Sequence, residues 1–218
     1  MKSLKILKTQ KNKQIVITTS WDDFSQYDVQ LAALLSEYHI PAIFYIPYRE
    51  LLSKKNLDFA KLLLKDFDIG SHTINHPSNL KNVKNGDLVD EVAGSKSLLE
   101  EALECKITSF CYPRGRYNDT VKQAVNDAGY LKARTTEVGN IDLICDPYAI
   151  KTTVHAYSGR KEYHGQGWVE YALARLDSVL AIGGYFHLWG HSAEIEKHGE
   201  WVNLEWFFSY LAKEIKKH

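Results

Sequence analysis

The sequence predicts an α/β fold built on a largely parallel sheet. Three observations predict it. Short β-branched or apolar runs alternate with longer amphipathic runs along most of the chain. Glycines stop several of the amphipathic runs. Strands that alternate with helices form right-handed βαβ units, which bring strands side by side in parallel.

The elements follow in order. Residues 14–19 (QIVITT) are β-branched and short, as a strand requires. Residues 29–38 carry Leu31, Leu34 and Leu35 at helical spacing. Residues 41–46 (PAIFYI) read as a strand, 57–67 as a helix and 67–71 as a short strand. Residues 87–103 read as one helix, with Leu88, Val92, Leu98, Leu99 and Leu103 apolar. Its acidic residues lie near its start, where the helix dipole favours them. Residues 109–112 form a strand, 119–128 a helix closed by Gly129, and 130–135 another strand. Residues 149–156 supply a sixth strand, and 168–182 a helix with a Gly183-Gly184 stop. Residues 185–189 form a seventh strand and 201–216 the last helix. Seven such units can close into a β/α barrel; an open doubly wound sheet is the rival. Either way, functional residues belong just beyond the C-terminal ends of the strands.

The bulk properties narrow the class. A chain of 218 residues suits one domain, 1–218. Lys plus Arg and Asp plus Glu both number 27, so no net field draws the chain to nucleic acid or an anionic membrane. The three cysteines, Cys105, Cys111 and Cys145, are odd in number and widely spaced. A disulfide framework is therefore not expected. The start of the chain, 1–14, is basic and polar and lacks the apolar stretch of a signal peptide. No segment approaches the roughly 20 apolar residues of a membrane span. The expectation is a cytoplasmic protein without membrane insertion, of undetermined oligomeric state. The 13 tyrosines and 5 tryptophans mainly serve the core, and some are candidates for stacking on sugar rings.

The strand-end rule collects the chemistry. Ser20, Trp21, Asp22 and Asp23 follow the first strand. His72, Thr73, Asn75 and His76 follow the third, and Pro113, Arg114, Gly115 and Arg116 the fourth. Arg134 lies on the fifth, and Gly190, His191 and Ser192 follow the seventh. His72 and His76 stand four apart in HTINHP; on a helical turn their rings would share a face. Thr73 occupies the place where the HExxH motif needs its glutamate, so that protease type is disfavoured. Asp23 with His72 and His76 makes two nitrogens and one oxygen, a set suited to zinc or another first-row divalent ion. Asp22 is then placed to take a proton from water. His187 lies mid-strand and reads as a core histidine, whereas His191 lies past the strand end on the rim. Glu194 and Glu196 read as solvated surface.

At these residues the sequence resembles the polysaccharide deacetylases of the NodB-homology type, a carbohydrate esterase family. The family's T-F-D-D-G run is matched by Ser20-Trp21-Asp22-Asp23-Phe24, and its H-T-x-x-H-P run in full by His72 to Pro77. The third motif, R-x-P-Y-G, keeps Pro113 and Gly115; Cys111 stands at the arginine and Arg114 at the tyrosine. The fifth motif is echoed by YFHLWGHS, and the Asp-Trp pair of the fourth is not found. The resemblance runs from Thr18 to about Ser192 and implies a distorted (β/α) barrel of about seven repeats. It implies one divalent metal, zinc by default with Co, Ni or Mn as alternatives, held by Asp23, His72 and His76. Asp22 is the expected base and His191 the expected acid. The Arg114 N–H is expected to bind the oxyanion, and Arg134 to replace the arginine missing at Cys111. Pro113, Gly115 and Trp189 are expected at the substrate. The implied activity removes an N-linked acetyl or other acyl group from an amino sugar or glycan. A small non-sugar amide, ureide or imide is the alternative substrate, and a non-catalytic carbohydrate-binding homologue the alternative of another class.

Overall fold

The computed structural model describes residues 4–8 and 13–217. The expectation for residues 1–14 falls in part on 1–3 and 9–12, outside the described residues. Contacts group the chain into two compact units: Met1–Ile43 with Glu137–Ile144 and Thr152–His218, and Phe44–Thr136 with Cys145–Lys151.

The first unit is built on β2 (Gln14–Asp22), a nine-residue strand. The strand outruns its expected end by three residues, so Asp22 closes it. An unpredicted strand, β1 (Lys5–Lys8), pairs antiparallel with it. Its four residues, KILK, are too short and too charged to signal a strand alone. α1 (Asp28–Glu37) follows and buries Leu31 and Leu35. After β3 (Ala42–Ile46), whose last three residues belong to the second unit, the chain leaves this unit.

The second unit continues with α2 (Lys54–Leu63), capped by the Ser53 side chain, and β4 (Asp68–Ser71). Next comes a single helical run in three parts: α3 (Asn85–Val89), a π-helical turn at Asp90–Gly94 and α4 (Ser95–Leu103). A plain α-helix was expected over 87–103; the π turn inserts a residue and resets the helical phase. β5 (Ser109–Cys111), a tight turn at Pro113–Gly115, α5 (Asp119–Asp127) and β6 (Lys132–Arg134) complete it. The strand order is β6-β5-β4-β3, and β5 runs parallel to both β4 and β6. Phe44 packs edge-on against Phe67, Phe110 packs tilted against Tyr130, and Leu99 is buried. Gly70 is required here: a Cβ would meet the Tyr45 ring at 2.4 Å.

The chain returns to the first unit with β7 (Val154–His155), α6 (Trp168–Ile182), β8 (Gly184–Gly190), α7 (Ser192–His198) and α8 (Trp201–Lys217). The strand order is β1-β2-β8-β7, with β2, β8 and β7 parallel. The strand expected over 149–156 shrinks to two residues. Thr152 instead bonds to Glu137, and the Thr153 N–H to the His187 carbonyl. α7 was not expected; its seven residues are too few to show a helical period. Gly183 and Gly184 both take positive φ, and a Cβ on Gly184 would meet the Ile141 carbonyl oxygen at 2.4 Å. That turn lets β8 start directly after α6. Phe186, Phe207, Phe208 and Leu211 fill the core, with Trp21 edge-on to Phe208. No helix among the described residues is long and apolar enough to cross a membrane.

Candidate active site

Each unit gathers expected residues at the C-terminal ends of its parallel strands. In the second unit, His72 follows β4 directly and is buried. Its Nδ1 lies 2.7 Å from the carbonyl oxygen of Cys111, which fixes the proton there and leaves Nε2 as a lone-pair donor. The HTINHP segment is not a helical turn. Thr73 and His76 take left-handed φ values of 69° and 51°, and this kinked loop brings the two imidazoles to 4.7 Å between centroids.

Glu91 holds that loop. Its Oε2 accepts the N–H groups of Ile74 and Asn75 at 2.9 Å each, and its Oε1 accepts the Asn75 amide at 2.7 Å. The π turn carries Glu91, so the change of helical phase aims its carboxylate at the histidine loop. No motif announced this residue; its signal is an acid buried within a helix, which only packing reveals.

The third-motif turn also lies in this unit. Arg114 is left-handed, at φ 55°, and Gly115 at φ 65°. Gly115 and Arg116 donate their N–H groups to Tyr112 and Pro113. The Arg114 N–H has no acceptor among the described residues. Arg134 is 2% exposed, not a surface ion-pair residue. Its Nη2 reaches Cys111 Sγ at 2.9 Å and its Nη1 the Thr135 carbonyl at 3.0 Å, with the guanidinium over the Tyr45 ring. The arginine thus touches the residue that stands in the family's arginine position. None of the three cysteines forms a disulfide, and Cys111 is fully buried.

In the first unit, Asp22 is buried and Asp23 exposed, with a left-handed φ of 75°. Phe24, at φ 58°, takes the left-handed form that the family's glycine adopts without strain. His191 lies just past β8. Its Nε2 is 3.7 Å from Asp23 Oδ2, and its Nδ1 is 3.2 Å from Glu194 Oε2. Burial pushes the His191 pKa down, but the Glu194 hydrogen bond and the charges of Asp22 and Asp23 outweigh it, so the net shift is upward. His187 is buried among the hydroxyls of Thr18, Ser20 (2.8 Å) and Tyr185 (2.9 Å).

Two expectations are corrected here. Glu194 is not solvated surface: the first turn of α7 turns it onto His191, and its Oε2 is also 2.9 Å from Nε2 of His155. Trp189 does not offer an open face to a sugar: it is buried and stacks on His155 at 3.8 Å and 6°. The parallel register that sets His155 beside Trp189 forces that stack.

Parallel strands whose ends carry an Asp-Asp pair, two paired imidazoles and a further histidine define a distorted (β/α) barrel of the NodB type with a hydrolase-like residue set. The chain belongs to the polysaccharide deacetylase family, whose profile matches residues 8–133. It is similar to YxkH of Bacillus subtilis (strain 168), provisionally named a polysaccharide deacetylase: 27% identical over 141 residues, 63% of this chain and 50% of YxkH. The chain therefore spans half the length of that relative. Among solved structures, a provisionally named polysaccharide deacetylase from Mycobacterium smegmatis is 15% identical, with a TM-score of 0.69 over 90% of this chain and 83% of that one. A family 4 carbohydrate esterase pseudoenzyme from Bacillus anthracis is 17% identical, with a TM-score of 0.62 over 94% and 62%. Both likenesses show the fold.

Proposed function

We propose that residues 1–218 act as one catalytic domain that hydrolyses the N-acetyl or other N-acyl group of an amino sugar or glycan, using one divalent metal ion. The observation that carries this reading is the His72–His76 pair. The main chain holds Nδ1 of His72, which puts the ring's lone pair on Nε2, the tautomer of metal-binding histidines. With Asp23, the donor set is two imidazoles and one carboxylate, which fits zinc and also Co, Ni or Mn. When bound, such an ion polarises the amide carbonyl and acidifies water.

The remaining work falls to the chain's own residues. Asp22 takes the proton of the attacking water. Arg134 orients Asp22 in place of the arginine absent at position 111. The Arg114 N–H, without an acceptor among the described residues, donates to the oxyanion, with Pro113 and Gly115 shaping its turn. His191 gives its proton to the leaving nitrogen; burial pushes its pKa down, but the Glu194 hydrogen bond and the charges of Asp22 and Asp23 raise it on balance, which favours the protonated ring.

The test is acetate release from a panel of N-acetylated sugars and oligosaccharides by metal-loaded protein, beside small amides, ureides and imides. Release from sugars that is lost in His72→Ala and His76→Ala together with the metal is the expected result. Turnover of small amides alone would transfer the reading to that substrate class, which the altered third motif favours. Sugar binding without turnover of any substrate would make the chain a non-catalytic binder.

A further inference from the structure

We infer that Glu194 is a positioning residue that holds the His191 ring in one orientation and one tautomer, and that His155 braces Glu194 from its other side. This inference rests on the proposed role of His191 as the proton donor. One carboxylate oxygen, Oε2, lies in hydrogen-bond contact with Nδ1 of His191 at 3.2 Å and packs against Nε2 of His155 at 2.9 Å, close but without hydrogen-bond alignment. The far nitrogen of His191 faces Asp23 at 3.7 Å. A proton held on Nδ1 by Glu194 leaves Nε2 as the nitrogen that exchanges protons on the site's side.

The brace is stiff for reasons visible in the fold. His155 stacks flat on Trp189, and its N–H and carbonyl are both tied to the Tyr163 hydroxyl, at 2.6 and 2.8 Å. Glu194 sits three residues after His191, in the first turn of α7, where a negative side chain is favoured. Burial lowers the His155 pKa despite the nearby carboxylate, so His155 stays neutral and does not consume the charge of Glu194. Burial raises the Glu194 pKa, but both histidines pull it down further, so Glu194 is ionised throughout the neutral range.

The experiment compares the wild type with Glu194→Leu, which removes both acceptor and charge, and Glu194→Gln, which keeps length and an acceptor oxygen. Ring ¹⁵N shifts of His191 are read in substrate-free, metal-loaded protein, together with metal content and steady-state kinetics. The neutral wild-type ring is expected to carry its proton on Nδ1, Glu194→Gln to retain most of that preference, and Glu194→Leu to lose it. The kcat of Glu194→Leu should fall about 10–100-fold, the range seen when a carboxylate orienting a histidine is removed. Glu194→Gln should fall less, and KM should stay within about twofold, because the substrate itself is not touched. An unchanged tautomer or kcat in Glu194→Leu overturns the inference. Loss of metal in either variant also overturns it, by making Glu194 a ligand. Should Glu194→Leu not fold, the same readouts on Glu194→Gln decide. Should the wild type release no acyl group, the hydrolase reading fails, while the ring shifts still decide whether Glu194 positions His191.

Discussion

Glu91 is the most exposed test of how the histidine loop is built. Glu91→Gln leaves one acceptor oxygen and turns an amide N–H₂ toward a site that now takes three donated hydrogen bonds. Glu91→Ala leaves the Ile74 and Asn75 N–H groups without a protein partner. Hydrogen bonds to a charged group contribute about 1.5–3 kcal/mol each, so the three together set an upper figure of about 4.5–9 kcal/mol. Asn75 is exposed and Ile74 half-buried, so water replaces part of that loss. The expected net cost of Glu91→Ala is about 2–4 kcal/mol, read by urea unfolding of metal-free protein. At about 2–4 °C per kcal/mol for a chain of this size, the melting temperature drops visibly. The same loosening misplaces the His72 and His76 rings, so metal affinity should fall about 10–100-fold. Asp87→Asn, in the same helical run but exposed, serves as the control. If Glu91→Gln and Glu91→Ala both bind metal as the wild type does, the carboxylate does not hold the loop, and the reasoning fails.

Three further outcomes are expected. Asp28, buried under the Ser192 hydroxyl and the Ser25 N–H, has its pKa pushed up by burial from 3.8 to about 6, so it binds its proton more tightly folded than unfolded. Its contribution is complete below the unfolded value and is lost as the pH climbs through about 6. The gap is about 2 units, or about 3 kcal/mol. Asp28→Asn should therefore gain about 3 kcal/mol on the wild type between pH 4 and pH 7.5, and urea melts showing a pH-independent difference would contradict this. Arg134→Lys keeps the charge but cannot span Cys111 and Thr135 together; turnover should drop about 10–100-fold at constant metal content, and native kinetics would make Arg134 purely structural. Arg114→Tyr should keep most activity because only its N–H is used, whereas Gly115→Ala, whose Cβ would meet Thr136 Oγ1 at 2.1 Å, should lose about 10²–10³-fold. Equal rates in the two variants would remove the turn from the mechanism.

Much of this was legible in the sequence, for physical reasons. Strands and helices with long apolar periods, such as 168–182, announced themselves, and the helix there has those bounds. The strand-end rule points to Asp22, His72, Arg134 and His191, and each lies at or just past the end of its own strand. What escaped depends on tertiary placement. β1 finds its partners on the edge of β2, and α7 is too short to carry a helical period of its own. The π turn of Glu91 has no sequence period of its own. Glu194 and His155 are 39 positions apart and meet through the pairing of β7 with β8. The four-residue spacing of the HTINHP histidines brings their rings together on a helical turn; here they are neighbours because Thr73 and His76 accept left-handed backbone.

The hydrogen bond from His72 goes to the carbonyl of Cys111, not to its side chain. Every amino acid carries that carbonyl, so position 111 can change its identity while the orientation of His72 is inherited unchanged. The ring's anchor therefore does not depend on which side chain stands at 111, and that side chain instead meets Arg134 and the Tyr112 carbonyl. The small cysteine leaves room for the guanidinium that enters from the neighbouring strand. A saturation library at position 111 should accordingly separate two traits: metal retention, broadly tolerant, and turnover, tolerant only of residues small enough to leave the guanidinium its room.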